Sequence, residues 1–234
     1  MKNESEIATS KYQGYGTSTI SADEKEFAFL SEYAFHMHFR GRPHWRHDWG
    51  RVVDFGGRIG ERTKLIDNVV VVEIDSVARK WMKEHGRECL ESMDTIKDGS
   101  IDTLYSSHAL EHLENPIDYL RLFARKMKPD GILILAIPYE TGGFEGTATD
   151  SNGHLYAWNM ITINTLLERA GFTVKSNRYA TLAILAKTIG WDAYVALIRN
   201  GFMNTVLRLS RTILYQLLNR RASGELIIMA RKSK

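Results

Sequence analysis

The chain reads as an α/β protein built on one mostly parallel sheet with helices on both faces. Three observations carry this reading. Short apolar runs alternate with helical stretches along the chain, the pattern of parallel strands joined by crossover helices. The first run, Val52-Val53-Asp54-Phe55, leads straight into Gly56-Gly57-Arg58-Ile59-Gly60. The second, Val69-Val70-Val71-Val72, ends in a carboxylate, Glu73. A glycine loop after one strand and an acid after the next is how doubly wound folds hold a nucleoside. The glycines admit a ligand where a Cβ would block it, and the carboxylate accepts ribose hydroxyls.

Taken in order, residues 1–21 are polar and rich in Gly, Ser and Thr, and read as an N-terminal arm. Ser21-x-x-Glu24 is a capping box that opens a helix through Phe39, with Phe27, Leu30, Ala34 and Met37 or His38 on one face. Residues 22–50 thus form a helical lid. Strands are predicted at Val52–Phe55, Val69–Ile74, Glu88–Leu90, Ile101–Tyr105, Ile132–Ile137, Thr173–Tyr179 and Glu225–Arg231. Asn115-Pro116 opens a helix over Ile117–Met127, which Lys128-Pro129-Asp130-Gly131 stops. A further helix covers Ile163–Ala170. The core is therefore expected over 51–180, with an insertion at 181–222 and the final strand within 223–234.

Composition bounds the class. The 234 residues suffice for one domain with a sizeable core, and 44% hydrophobic with 25% charged residues is ordinary for a globular chain. A single cysteine, Cys89, excludes an internal disulfide framework and suits a reducing compartment. With no apolar run near the ~20 residues needed to span a bilayer and no signal-peptide core, the expected location is cytoplasmic. A net charge of +3 gives no broad nucleic-acid footprint, so no nucleic-acid partner is expected.

The glycine spacing narrows the ligand. From Gly56, a G-x-G-x-x-G dinucleotide fingerprint requires glycine at 58 and 61, where the chain has Arg58 and Glu61. No Walker A sequence occurs either. What remains, Asp-x-Gly-x-x-x-Gly from Asp54 to Gly60, resembles motif I of the class I S-adenosylmethionine-dependent methyltransferases, with Arg58 in place of the usual central glycine. Three further segments carry the same resemblance in the same order: Ile101-Asp102 running into His108-Ala109-Leu110-Glu111-His112, then helix, Lys128-Pro129-Asp130-Gly131 and apolar strand, then His154 followed by a helix closing on Ala170-Gly171-Phe172. The resemblance implies a Rossmann-like seven-stranded sheet whose last strand is antiparallel, and S-adenosyl-L-methionine as cofactor.

It also implies roles. Asp54, Gly56, Gly57 and Gly60 would lie under the methionine part of the cofactor, Glu73 would accept both ribose hydroxyls (with Asp75 as rival), and Ile74 would lie on the adenine face. Met93 and Asp94 would meet the adenine edge, and Ser107 would be a further cofactor-binding residue. Methyl transfer asks mainly for alignment, because the sulfonium already carries an activated methyl. If the acceptor is a hydroxyl, a base helps, and His108 or His154 is placed to serve. His112 is read as packing. No Asn-Pro-Pro-Tyr-type sequence follows the fourth strand, which speaks against a nucleobase amine or glutamine amide as acceptor. The expected activity is therefore methyl transfer to a small-molecule or sugar-containing acceptor, at oxygen. The rivals are a non-catalytic scaffold, favoured if Arg58 closes the loop, and a nicotinamide-dependent oxidoreductase.

Two remaining features have plain readings. His36, His38, His44 and His47, interleaved with Phe39, Trp45 and Trp49, match no metal-ligand spacing, so they are read as part of the lid and no metal is expected. In 202–221 apolar residues recur at Phe202, Val206, Leu209, Ile213 and Leu217 beside Arg208, Arg211, Arg220 and Arg221. This reads as a helical cap on the domain or on a second subunit of a homodimer. The alternative is a peripheral membrane helix suited to a lipid- or nucleotide-linked sugar acceptor.

Overall fold

The computed structural model describes residues 24–40, 49–139, 153–180, 193 and 224–233. Its strands are β1 (Val52–Phe55), β2 (Val69–Val72), β3 (Cys89–Leu90), β4 (Ile101–Ser107), β5 (Met127–Tyr139), β6 (Phe172–Ala180) and β7 (Gly224–Lys232). They form one seven-stranded sheet in the order β3-β2-β1-β4-β5-β7-β6. The first five strands pair in parallel, and β7 runs antiparallel to both β5 and β6. This is the Rossmann-like architecture that the motif order implies.

The helices are α1 (Glu24–Ala34), which continues into a π-helical turn over Phe35–Arg40, α2 (Ser76–Glu84), α3 (Pro116–Lys126) and α4 (Met160–Arg169). Alternation along the strands splits the core between the two faces of the sheet. On one face Val53, Leu104, Leu133 and Leu135 pack against Leu120 and Phe123 of α3 and Ile163 and Leu167 of α4. On the other, Val52, Tyr105, Ile134 and Met229 meet Phe35 and Phe39, while Val71 meets Ala78 and Met82 of α2.

Two boundaries differ from expectation for identifiable reasons. β2 stops at Val72 rather than Ile74 because Asp75 is already the N-cap of α2, its Oδ1 accepting from the Val77 N–H at 2.9 Å. β5 begins at Met127, five residues early, because Met127 pairs with Ile101. The register then shifts so that Thr103 faces Ile132, and Lys128–Gly131 form an excursion whose Lys128 Nζ donates to both carboxylate oxygens of Asp102 (2.7 and 2.8 Å). The helix predicted through Phe39 is α-helical only to Ala34. The predicted arm, the 202–221 stripe, His44 and His47 lie outside the described residues. Among the described residues no helix is long and apolar enough to cross a membrane.

Candidate functional site

β1 and β4 are the neighbours at which the strand order reverses, so the loops leaving their carboxyl ends diverge and open a crevice. A cavity of about 180 Å³ lies there, lined by Asp54, Gly56, Gly57, Arg58, Glu61, Arg62, Ser107 and His108.

The loop after β1 is shaped by positive-φ backbone. Gly56 has φ 69°, and a Cβ there would fall 2.7 Å from the Ala109 Cβ. Arg58, standing where the motif usually has glycine, adopts φ 52°, so the turn is kept at the expense of a left-handed arginine. Glu73 holds that turn. The Arg58 N–H donates to its Oε2 (2.8 Å) and the Asp75 N–H to its Oε1 (2.9 Å). Burial raises the Glu73 pKa, and these backbone donors work against the rise. Asp75 is occupied at the α2 cap, which separates the two rivals: Glu73 touches the glycine loop and Asp75 does not.

Asp54 is wholly enclosed at the cavity wall. Burial lifts its carboxyl pKa to about 7, opposed by the Thr63 hydroxyl, which donates to Oδ2 at 2.8 Å. Ser107 also lines the cavity, and its buried hydroxyl has no hydrogen-bond partner among the described residues. Both groups fit a ligand that brings a cation and polar atoms into the crevice.

His108 follows β4 with φ 52°, an unusual backbone for a non-glycine residue, pinned by its N–H donating to the Ala136 carbonyl at 2.8 Å. Its Nε2 lies 2.9 Å from Glu225 Oε1, and its Nδ1 lies 3.5 Å from Glu111 Oε1, an ion-pair distance without hydrogen-bond geometry. Burial disfavours the imidazolium, but the Glu111 and Glu225 carboxylates outweigh it and raise the His108 pKa to about 9. Glu225 is the hub. Its Oε2 also receives the Tyr33 hydroxyl (2.7 Å) and His38 Nε2 (3.0 Å), and His38 Nδ1 lies 2.7 Å from the Tyr105 hydroxyl. Burial alone would raise Glu225, yet His38 and His108 hold it well below the usual carboxylate range. The N-terminal helix, the end of β4 and the start of β7 therefore meet on one buried carboxylate.

Of the residues singled out in the sequence, Asp54, Gly56, Gly57, Ser107 and His108 line the cavity together. Gly60, with φ 72°, sits one turn back and is closed in by the Arg87 guanidinium. Ile74 is 43% exposed beside Glu73, free to lie against a flat ring. Met93 is buried in the core, and Asp94 is exposed, its Oδ2 accepting from the Ser92 hydroxyl at 3.1 Å. His154 stands apart from the cavity, its ring 5.0 Å from that of His112. The sequence reading missed Arg62, Glu61, His38 and Glu225. An acid opening the otherwise apolar strand Leu226–Ala230 was the available signal for Glu225.

Comparison with known proteins bears on the fold and the family. A search of curated proteins finds no match. Among solved structures, an S-adenosylmethionine-dependent methyltransferase from Archaeoglobus fulgidus is 20% identical, with a TM-score of 0.59 and coverage of 89% of this chain and 97% of that one. Phosphoethanolamine N-methyltransferase 2 of Haemonchus contortus, in complex with S-adenosyl-L-methionine, is 15% identical with a TM-score of 0.54, covering 90% of this chain and 57% of that one. The [4+2]-cyclase SpnF is 19% identical with a TM-score of 0.55, covering 80% and 76%. These likenesses describe the fold. A family model described as "Methyltransferase domain" matches residues 25–177, more than half of the chain. The chain belongs to the class I S-adenosylmethionine-dependent methyltransferase family.

Proposed function

We propose that this protein transfers a methyl group from S-adenosyl-L-methionine to an oxygen atom of a small-molecule or sugar-containing acceptor. The observation that carries the reading is the crevice itself, lined by a buried Asp54 carboxyl, by Ser107, whose hydroxyl has no hydrogen-bond partner among the described residues, and by His108. S-adenosyl-L-methionine supplies a methyl already activated on a sulfonium. Asp54 offers a carboxylate to that cationic end, and Gly56, Gly57 and Gly60 shape the loop that would lie beneath it. Glu73 keeps a second lone pair on each oxygen for the ribose hydroxyls, Ile74 covers one adenine face, and Met93 and Asp94 belong to the segment at the adenine edge.

On the acceptor side His108 is the proposed base. Glu225 accepts from Nε2 and fixes the ring; because the flanking carboxylates raise the His108 pKa to about 9, Nδ1 takes the acceptor proton only in the neutral ring, whose share grows as pH rises toward 9. His154 is a weaker candidate on geometry, because it contacts His112 and does not line the cavity. Arg58 supports the catalytic reading over the scaffold reading, since its backbone keeps the turn that a glycine would make. The methyltransferase match and the absent dinucleotide fingerprint disfavour a nicotinamide enzyme.

The test is calorimetric titration with S-adenosyl-L-methionine, S-adenosylhomocysteine and NAD, followed by methyl-transfer assays on hydroxyl- and amine-bearing acceptors, sugar nucleotides among them. Binding of the first two ligands alone, with turnover on a hydroxyl, supports the proposal. Turnover confined to amines would move the reaction to nitrogen, and silence toward all three ligands would return the scaffold reading.

A further inference from the structure

We propose that Glu111, His112 and His154 form a binding site for one divalent transition-metal ion of the zinc class. One ligand atom from each of the three residues lies within 4.8 Å of the other two. Ligand atoms at 2.0–2.2 Å from a metal stand about 3–4 Å apart, so modest side-chain adjustment completes the set.

Glu111 supplies a second observation, independent of that spacing. Its side chain is fully buried, and neither carboxylate oxygen accepts a hydrogen bond from the described residues. Oε1 has the 3.5 Å ion-pair contact with His108, while Oε2 has no polar partner of that kind. His108 meets Oε1, so the open position is Oε2, a buried acceptor that is costly to leave without a donor or an ion. The imidazoles are prepared for the role. His112 Nδ1 is 3.4 Å from the Gly153 carbonyl, which can only accept, so in the neutral ring the lone pair is on Nε2. Ring orientation through a backbone carbonyl is the usual support for a metal-bound histidine. Both rings are half-buried, which gives an ion a route from solvent.

The two segments that supply the donors are already fastened together. The Leu155 N–H donates to the Glu111 carbonyl (2.9 Å) and the Tyr156 hydroxyl to the Glu114 carbonyl (2.8 Å). Two imidazoles and one carboxylate select a zinc-like ion over magnesium or calcium, which prefer all-oxygen shells. The ion would join the turn after β4 to residues 153–158 and neutralise Glu111. The sequence reading sought a metal among the N-terminal histidines and expected none; the donors found here come from two distant segments.

The site is tested on the full chain, stripped with chelator and dialysed, by calorimetric titration with ZnCl₂ and by absorption spectroscopy with Co²⁺. The expected result is one ion per chain, visible Co²⁺ d–d bands, and a Zn²⁺-dependent rise in melting temperature. His112→Ala and His154→Ala change half-exposed rings and should fold. Each should weaken binding at least about tenfold and abolish the melting shift. No stoichiometric binding by the wild-type chain, or undiminished binding by both variants, overturns the assignment. Because binding is read directly, either outcome leaves the methyl-transfer proposal to its own test.

Discussion

His108 and Glu225 are 117 residues apart in sequence, and their side chains meet at 2.9 Å. Glu225 serves Tyr33 and His38 with its other oxygen, so one buried carboxylate both orients a candidate base and fastens the N-terminal helix to the sheet. Glu225→Gln keeps the shape and removes the charge from this cluster. We expect a loss of about 3 kcal/mol in stability, measured by urea unfolding, together with reduced turnover. Unchanged stability would mean that the histidines do not depend on that charge.

His108→Ala should lower turnover about 10²–10⁴-fold while leaving affinity for S-adenosyl-L-methionine within a factor of a few. Single-turnover kinetics beside calorimetry separate the two effects. A parallel fall in both would make His108 part of the cofactor pocket instead.

Glu73 and Asp75 can be told apart. Glu73→Ala removes acceptors of the Arg58 and Asp75 N–H groups and the proposed ribose contact, and should weaken cofactor binding by about 1.5–3 kcal/mol. Asp75→Ala should leave that affinity nearly unchanged and cost about 1 kcal/mol of stability through loss of the α2 cap. The reverse pattern in calorimetry and thermal melts would exchange their roles.

The pKa of Asp54 gives a pH signature. Its folded-state value of about 7 lies above the ordinary 3.8, so between these values the unfolded chain has lost a proton that the folded chain keeps. The group's contribution to stability is whole below about pH 4, falls as pH rises toward 7, and stays low above. Affinity for a cationic cofactor should run the other way, strengthening from pH 6 to 8 as the carboxylate forms. Asp54→Asn should flatten both profiles, followed by denaturation and by titration at each pH.

The glycine loop yields a paired prediction. Arg58→Gly relieves a left-handed side-chain residue and should be neutral or stabilising by up to about 1 kcal/mol, with cofactor affinity retained. Gly56→Ala puts a Cβ 2.7 Å from that of Ala109 at φ 69° and should destabilise by about 2 kcal/mol or more. Equal melting temperatures for the two variants would contradict this account of the turn.

The strands that the sequence announces most plainly are those buried on both faces, Val69–Val72 and Ile132–Ile137, because an uninterrupted apolar run needs no partner to be recognised. The positions of Asp54, Gly56, Ser107 and His108 are equally legible, since each lies at or just past the carboxyl end of a strand. Met127–Gly131 is not, because its pairing with Ile101 is a property of the assembled sheet. Nor are His38 and Glu225. Helical periodicity turns His38 inward, but only the tertiary fold sets a carboxylate from the far end of the chain against it. Arg62 is hidden for the same reason: nothing within the short turn Glu61–Thr63 shows that it flanks a crevice.

The place of β7 has a consequence for when the protein becomes competent. β7 comes last in chain order yet sits inside the sheet, between β5 and β6, and it brings Glu225 with it. Until that strand is seated, His108 lacks the acceptor at Nε2, and Tyr33 and His38 lack the anchor that draws the N-terminal helix down. Pairings of such long sequence separation form late and slowly. The glycine loop, by contrast, is held by Val72 and Glu73 close by in sequence, so loop and His108–Glu225 pair are set by contacts of very different reach along the chain.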